Sequence, residues 1–94
     1  MKLNKTYRID GEDWDIEKDD TLMASRGDYA TTIFVEKTIK MDPNSKRIPV
    51  TLLHEALHII SDNANLELSE QICERLSHGI YAFIRDNNIN FLED

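Results

Sequence analysis

Cysteine is nearly absent from this chain: Cys73 stands alone among 94 residues, so no disulfide can form within it. The lack of disulfides suits a reducing compartment, because cytoplasmic thiols stay reduced. Residues 1–10 lack the apolar segment of a secretory signal peptide, and no apolar run approaches the length that crosses a bilayer. We therefore expect a cytoplasmic protein with no membrane partner, in which Cys73 is a small buried residue of a helix.

Basic residues are also scarce. The chain has 11 Lys and Arg against 18 Asp and Glu, which gives a net charge of −7. Only Lys46 and Arg47 are adjacent, so no basic patch is available to contact phosphates, and we expect no nucleic-acid partner. The apolar fraction of 40% suits a globular fold, and the length suits one small domain over residues 1–94. Its core would be modest, so a bound metal ion would add to its stability.

The few prolines and glycines mark changes of pattern along the chain. Alternating and β-branched residues predict strands within about residues 5–41, with a turn at Asp10-Gly11 and the clearest strand at residues 31–36. Beyond that region the apolar residues recur with the period of a helix. The predicted fold class is α+β: a small antiparallel sheet of about three strands, followed by two packed helices at about residues 46–62 and 69–86.

Capping residues support both predicted helices. Asp42 or Ser45 could cap the first helix, because their side chains can accept a hydrogen bond from a free backbone N–H. Ser69 is placed to cap the second helix in the same way. Gly79 lies inside the second helix, where it is less favourable than alanine, and we expect it to permit close packing against the first helix.

The chemically most informative segment is His54-Glu55-Ala56-Leu57-His58. Residues four apart lie one above the other on a helix, so His54 and His58 can direct two imidazoles at one metal ion. The side chain of Glu55 leaves the helix about 100° around from His54, where it can reach a metal-bound water and accept its proton. This is the HExxH pattern of zinc peptidases. The sequence therefore predicts a zinc (Zn²⁺) site with two histidine ligands and Glu55 as the catalytic base.

A core helix that carries two histidines by chance is the simpler alternative. Such a helix would scatter its polar residues, whereas Glu55, Asp62 and both histidines share one side of the helical wheel beside an apolar stripe. This grouping favours a metal-binding helix. Asp62 then either accepts a hydrogen bond from a ligand histidine or lies at the end of the helix.

Two histidines leave a tetrahedral zinc site in need of a third protein ligand, with water in the fourth position. A site of the metzincin type would need glycine at position 61 and histidine at position 64, where this chain has Ser61 and Ala64. The alternative is a glutamate on the following helix. Glu70 and Glu74 both qualify, and the residues alone leave the choice open.

The segments TLLHEALH (residues 51–58) and LSEQICERL (residues 68–76) resemble small gluzincin-type metallopeptidase domains encoded by phages and prophages. These domains are distantly similar to the ImmA/IrrE type. The resemblance covers about residues 22–87, and the HExxH helix is its most specific part. It implies a minimal zincin-like fold and a cytoplasmic location in a bacterial host.

The resemblance also bears on the third ligand. The family places it on the second helix, and residues 79–81 match that helix best when Glu74 is the ligand. Glu70 would then accept a hydrogen bond from a ligand histidine or be solvated. His78 stands where the family commonly has Asp or Asn, and could be a further ligand or a neighbour of the site. The resemblance therefore implies zinc held by His54, His58 and Glu74.

These observations predict a zinc metallopeptidase, a hydrolase that cleaves a peptide bond through a zinc-bound water with Glu55 as base. Its partner would be a peptide or protein substrate, and the resemblance suggests a regulatory protein such as a phage repressor. The alternative is a catalytically inactive, metal-bound domain of phage or prophage origin that binds a partner. The intact Glu55 favours the enzyme, because a purely structural site needs no base. The oligomeric state is left open.

Overall fold

The protein, described here from a computed structural model over residues 1–92, folds into a small sheet followed by two helices. The elements in chain order are β1 (Thr6–Ile9), β2 (Glu12–Lys18), α1 (Leu22–Arg26), β3 (Ala30–Ile33), β4 (Thr38–Met41), α2 (Ile48–Asn63) and α3 (Glu70–Asn87). The predicted α+β class is confirmed. The helices α2 and α3 lie close to the bounds that the sequence predicts, whereas the one-turn helix α1 was not anticipated.

The sheet differs from the prediction in strand number and direction. Its order is β1-β2-β4-β3, with four strands among the described residues. The predicted strand at residues 31–36 is interrupted, because the chain turns after Ile33 and Lys37 takes a positive φ of 48°. The two outer pairs are antiparallel, but β2 and β4 run parallel, so the sheet is mixed. The crossover through α1 and β3 returns the chain to β2 in the same direction.

The core lies between the sheet and α2. Trp14, Ile39, Met41 and Ile59 form a buried cluster, with Ile9 at its margin. Burying each of these large side chains contributes roughly 1.5–3 kcal/mol. Ile59 is fully buried, and His58 leaves the helix about 100° around from it. Packing of α2 on the sheet therefore fixes which side of that helix the histidines occupy.

The start of α2 corrects one prediction. Arg47 is the N-cap residue, and no side chain caps the helix. Asp42 is buried and instead accepts hydrogen bonds from the backbone N–H groups of Met23 at 3.2 Å and Asn44 at 2.9 Å. Ser45 accepts one from the N–H of Arg47 at 3.3 Å, so neither predicted residue caps α2. Both side chains stabilise the loop before the helix.

The helix α3 packs along α2 and begins as predicted. The Ser69 hydroxyl accepts a hydrogen bond from the Ile72 N–H at 3.1 Å, which confirms the predicted cap. Cys73 and Ser77 are buried against α2. The expectation for Gly79 is wrong: among residues 1–92, no atom lies within 4 Å of the position that its Cβ would take. None of the helices in that range is both long and apolar enough to cross a membrane.

Candidate metal centre

The two motif histidines lie side by side on α2. Their Nε2 atoms are 3.1 Å apart, and their ring centroids are 4.9 Å apart. His54 is only 7% exposed, whereas His58 is half-buried. At this distance one ring nitrogen can donate a hydrogen bond to the other, or both can direct lone pairs at one cation. The spacing that the sequence predicts for a shared ligand pair is therefore present.

Glu70 completes this cluster from the first turn of α3. Its two carboxylate oxygens lie 2.6 Å from Nε2 of His54 and 2.9 Å from Nε2 of His58. One ligand atom from each of these three residues lies within 4.8 Å of the other two. Two imidazole nitrogens and a carboxylate form the donor set of a catalytic zinc site that keeps a fourth position open. The residues present therefore fit a metal ion, and the Ser69 cap is the local feature that positions Glu70.

Glu74 contacts the opposite side of the His54 ring. One oxygen lies 2.9 Å from Nδ1 of His54, and the other lies 2.9 Å from Nε2 of His78. Partial burial opposes ionisation of Glu74, but the hydrogen bond from His78 and the charge of both histidines outweigh it and lower its pKa. A carboxylate in this place orients a ligand histidine and fixes its tautomer. The arrangement thus favours Glu70 as the third ligand, and a Glu74 ligand remains the competing prediction.

His58 also has a partner on its second nitrogen. Sγ of Cys73 lies 3.6 Å from Nδ1 of His58, and the Cys73 side chain is fully buried. Burial raises the pKa of the Cys73 thiol, and the negative charges of Glu70 and Glu55 add to this effect. When Nε2 of His58 offers its lone pair to a metal, Nδ1 carries the ring proton and can donate it to the sulfur, which is a weak acceptor. Burial of Cys73 was predicted, but its contact with His58 depends on how α3 crosses α2.

Glu55 lies beside the cluster rather than within it. Its Oε2 atom is 3.9 Å from Nε2 of His54, and its Oε1 atom accepts a 2.9 Å hydrogen bond from the Thr32 hydroxyl. Glu55 is 7% exposed, and this burial raises its pKa, opposed by the Thr32 hydrogen bond and the nearby histidines. A buried carboxylate next to a metal position is placed to accept a proton and later return it. Sequence analysis missed Thr32, because no local pattern links residues 23 positions apart.

An open groove passes this cluster. Two cavities of about 430 Å³ each adjoin one another, and Ala30, Glu55 and Glu70 line both of them. Thr32 lines one cavity and His78 the other, so the groove runs between the edge strand β3 and the start of α3. The volume of each cavity lies within the range of about 300–1,000 Å³ that is typical of small-ligand sites.

The remaining candidates lie at the margin of this site. His78 is half-buried on α3 and reaches the cluster only through Glu74. Asp62 is exposed near the end of α2, and in the described part of the chain its side chain bonds to neither ligand histidine. The arrangement as a whole could hold a cation between three side chains, with a buried carboxylate and an open groove next to it. Comparison of the sequence with protein-family models and curated proteins, and of the fold with solved structures, finds no match.

Proposed function

We propose that this protein is a zinc-dependent metallopeptidase in which His54, His58 and Glu70 hold the metal ion and Glu55 is the general base. The observation that carries the proposal is the convergence of three ligand atoms within 4.8 Å, next to a buried carboxylate and open to a groove. The pair of imidazoles with one carboxylate suits zinc among the divalent metals. Glu74 is the competing third ligand that the sequence resemblance implies.

A bound zinc ion would acidify a water molecule and polarise the scissile carbonyl. Glu55 accepts the proton of that water and later donates it to the leaving amine. The Thr32 hydrogen bond occupies Oε1 of Glu55, which leaves Oε2 directed towards the cluster. Glu74 holds His54 through Nδ1, so that Nε2 faces the metal position.

The substrate in this proposal is an extended segment of a protein. The strand β3 is at the edge of the sheet, so one row of its backbone N–H and C=O groups is free of sheet partners. An extended peptide can add to such an edge as a further strand. Residues of β3 line the groove that contains Glu55 and Glu70, so a peptide added there would pass the metal position. The resemblance to phage-encoded domains points to a regulatory protein such as a phage or prophage repressor as the natural target.

The test compares the wild-type protein with Glu55→Gln. Both are loaded with zinc, matched for metal content and incubated with a library of unstructured peptides, with cleavage read by mass spectrometry. The wild type is expected to cleave and Glu55→Gln is not, because an amide cannot accept the proton of the water. The matched control is Glu36→Gln, which changes an exposed glutamate in the β3–β4 turn and should cleave as the wild type does.

Two outcomes would contradict the proposal that the protein is a peptidase. Cleavage by zinc-loaded Glu55→Gln at the wild-type rate would remove Glu55 from the mechanism. Full biological activity of that variant in a bacterial host would favour the second function, a metal-bound domain that binds a partner without cleaving it.

A further inference from the structure

One face of α3 is apolar and uncovered. Ile72, Leu76, Ile80 and Phe83 are 46%, 42%, 36% and 57% exposed. Their spacing of four, four and three residues places them in one continuous stripe along the helix, which we call the α3 face. The helix α3 instead contacts α2 through its buried residues Cys73 and Ser77, which lie beside this stripe. A stripe of this length on a soluble domain marks a surface that another molecule covers.

Gly79 gives a second, independent indication. A glycine in the middle of a helix is less favourable than alanine, because it loses more backbone freedom on folding. Nothing within residues 1–92 requires a glycine here, because no atom lies within 4 Å of the position of its Cβ. Gly79 immediately precedes Ile80 of the α3 face and is exposed. A second helix that crosses at this point could approach closely, because glycine has no side chain to keep it at a distance.

We propose that the α3 face pairs with the α3 face of a second copy of this chain, with the two helices antiparallel and a two-fold axis between Gly79 and Ile80. In this register Ile80 of each copy is level with Gly79 of the other along the helix axis. Leu76 of each copy lies opposite Phe83 of the other, so large side chains fill the space beside the close crossing. A two-fold pairing of one surface with itself is the commonest form of assembly in soluble proteins.

The charged residues beside the α3 face favour the same antiparallel arrangement. Arg75 and Asp86 flank one side of the α3 face, eleven residues and therefore about three turns apart. Antiparallel pairing about Gly79 brings Arg75 of each copy within reach of Asp86 of the other, which gives two equivalent ion pairs. Parallel pairing would instead leave Arg75 and Asp86 of the two copies about three turns apart along the helix axis. One oxygen of Asp86 already accepts from Arg85 at 2.8 Å, and the second oxygen is available for the new pair.

The metal centre stays accessible in this dimer. Glu70 and Glu74 contact the histidines of α2, so they lie on a different side of α3 from the paired face. Assembly therefore depends neither on zinc nor on catalysis.

The test is sedimentation velocity of the full chain from low to high micromolar concentrations. The wild type is expected at twice the chain mass of 10.9 kDa. Leu76→Glu places a charge in the α3 face and should be monomeric, with an unchanged circular dichroism spectrum because Leu76 is already 42% exposed. The matched control is Leu66→Glu, which alters a leucine that is 59% exposed between the two helices and should dimerise as the wild type does.

Charge reversal tests the register. Arg75→Asp or Asp86→Arg alone should weaken the dimer by about tenfold, because each single change turns two attractive pairs into repulsive ones. The double variant should restore the wild-type affinity. A wild-type chain that stays monomeric at the highest concentration would overturn the proposal and assign the face to a different protein. A double variant no tighter than the singles would overturn the antiparallel register.

Discussion

The Thr32 hydroxyl donates a 2.9 Å hydrogen bond to Oε1 of Glu55, and this contact joins the edge strand β3 to the HExxH helix. It is a side-chain link between the part of the molecule that would bind substrate and the residue that would accept a proton. The rest of the carboxylate is buried, so its orientation depends on this one donor more than on solvent.

Replacing Thr32 with valine removes the donor at nearly constant volume. We expect Thr32→Val to keep its zinc and its fold but to lower kcat by about tenfold. This loss is part of the roughly 10²–10⁴-fold rate enhancement that a positioned general base supplies. Thr32→Ser retains the hydroxyl and should recover most of the rate. Steady-state kinetics with a cleavable peptide would measure both variants. Equal rates for valine and serine would show that the contact has no bearing on catalysis.

Measurements of zinc affinity can show which of the two glutamates of α3 is the third metal ligand. Glu70→Gln should lose far more affinity than Glu74→Gln, because Glu70 contacts Nε2 of both histidines while Glu74 supports only the far side of His54. Loss of a residue that orients a ligand typically costs 10–100-fold. Competition with a chromophoric chelator gives both constants, with Glu67→Gln as an exposed control from the loop between the helices. The reverse ranking would assign the third ligand to Glu74.

Metal binding should increase the stability of the folded protein. A ligand that binds only the folded state at 1,000 times its Kd adds about 4.1 kcal/mol to the free energy of unfolding. Saturating zinc should therefore raise the Tm of the wild type, whereas His58→Ala should show neither the rise nor stoichiometric zinc. Calorimetry with and without chelator makes the comparison. Unchanged zinc content in His58→Ala would remove the proposed site.

Burial of Glu55 predicts a pH dependence in the metal-free protein. Its pKa is raised above the ordinary value of 4.5, chiefly by burial, so the folded state binds this proton more tightly than the unfolded state does. The stability from that proton is fully present below pH 4.5 and is lost as pH rises through the higher pKa of the folded state. The free energy of unfolding of metal-free Glu55→Gln, relative to that of the wild type, should therefore increase as pH rises from 4.5 to the folded-state pKa of Glu55. Above that pKa the difference should level off. Urea unfolding of both proteins across pH is the measurement. A difference that is constant with pH would contradict the raised pKa.

The helices were predictable because their signals are local. The period of the apolar residues, the HExxH spacing and the Ser69 cap each involve neighbours within one or two turns. The sheet was predicted less well, since the turn after Ile33 and the insertion of β4 beside β2 depend on pairings between distant residues.

The same limit applies to the site. The sequence identifies the histidines and Glu55, whose relation is set by a single helix. Glu70 and Glu74 are four residues apart on α3 and share a side of that helix, so the choice between them depends on how α3 crosses α2. Thr32 is brought to Glu55 only by packing of β3 on the helix.

The central position of β4 sets the order in which the protein can fold. The β1–β2 and β3–β4 hairpins are local and can form early, but only the parallel pairing of β2 with β4 joins them into one sheet. Non-local pairings of this kind form late, because a long loop must close first. The helix α2 packs through Ile59 on the cluster that includes Trp14 of β2 and Ile39 of β4. The side of α2 that carries His54 and His58 is therefore fixed against the sheet only after both hairpins have met. If the proposed metal site is correct, tight metal binding would report that this step of folding is complete.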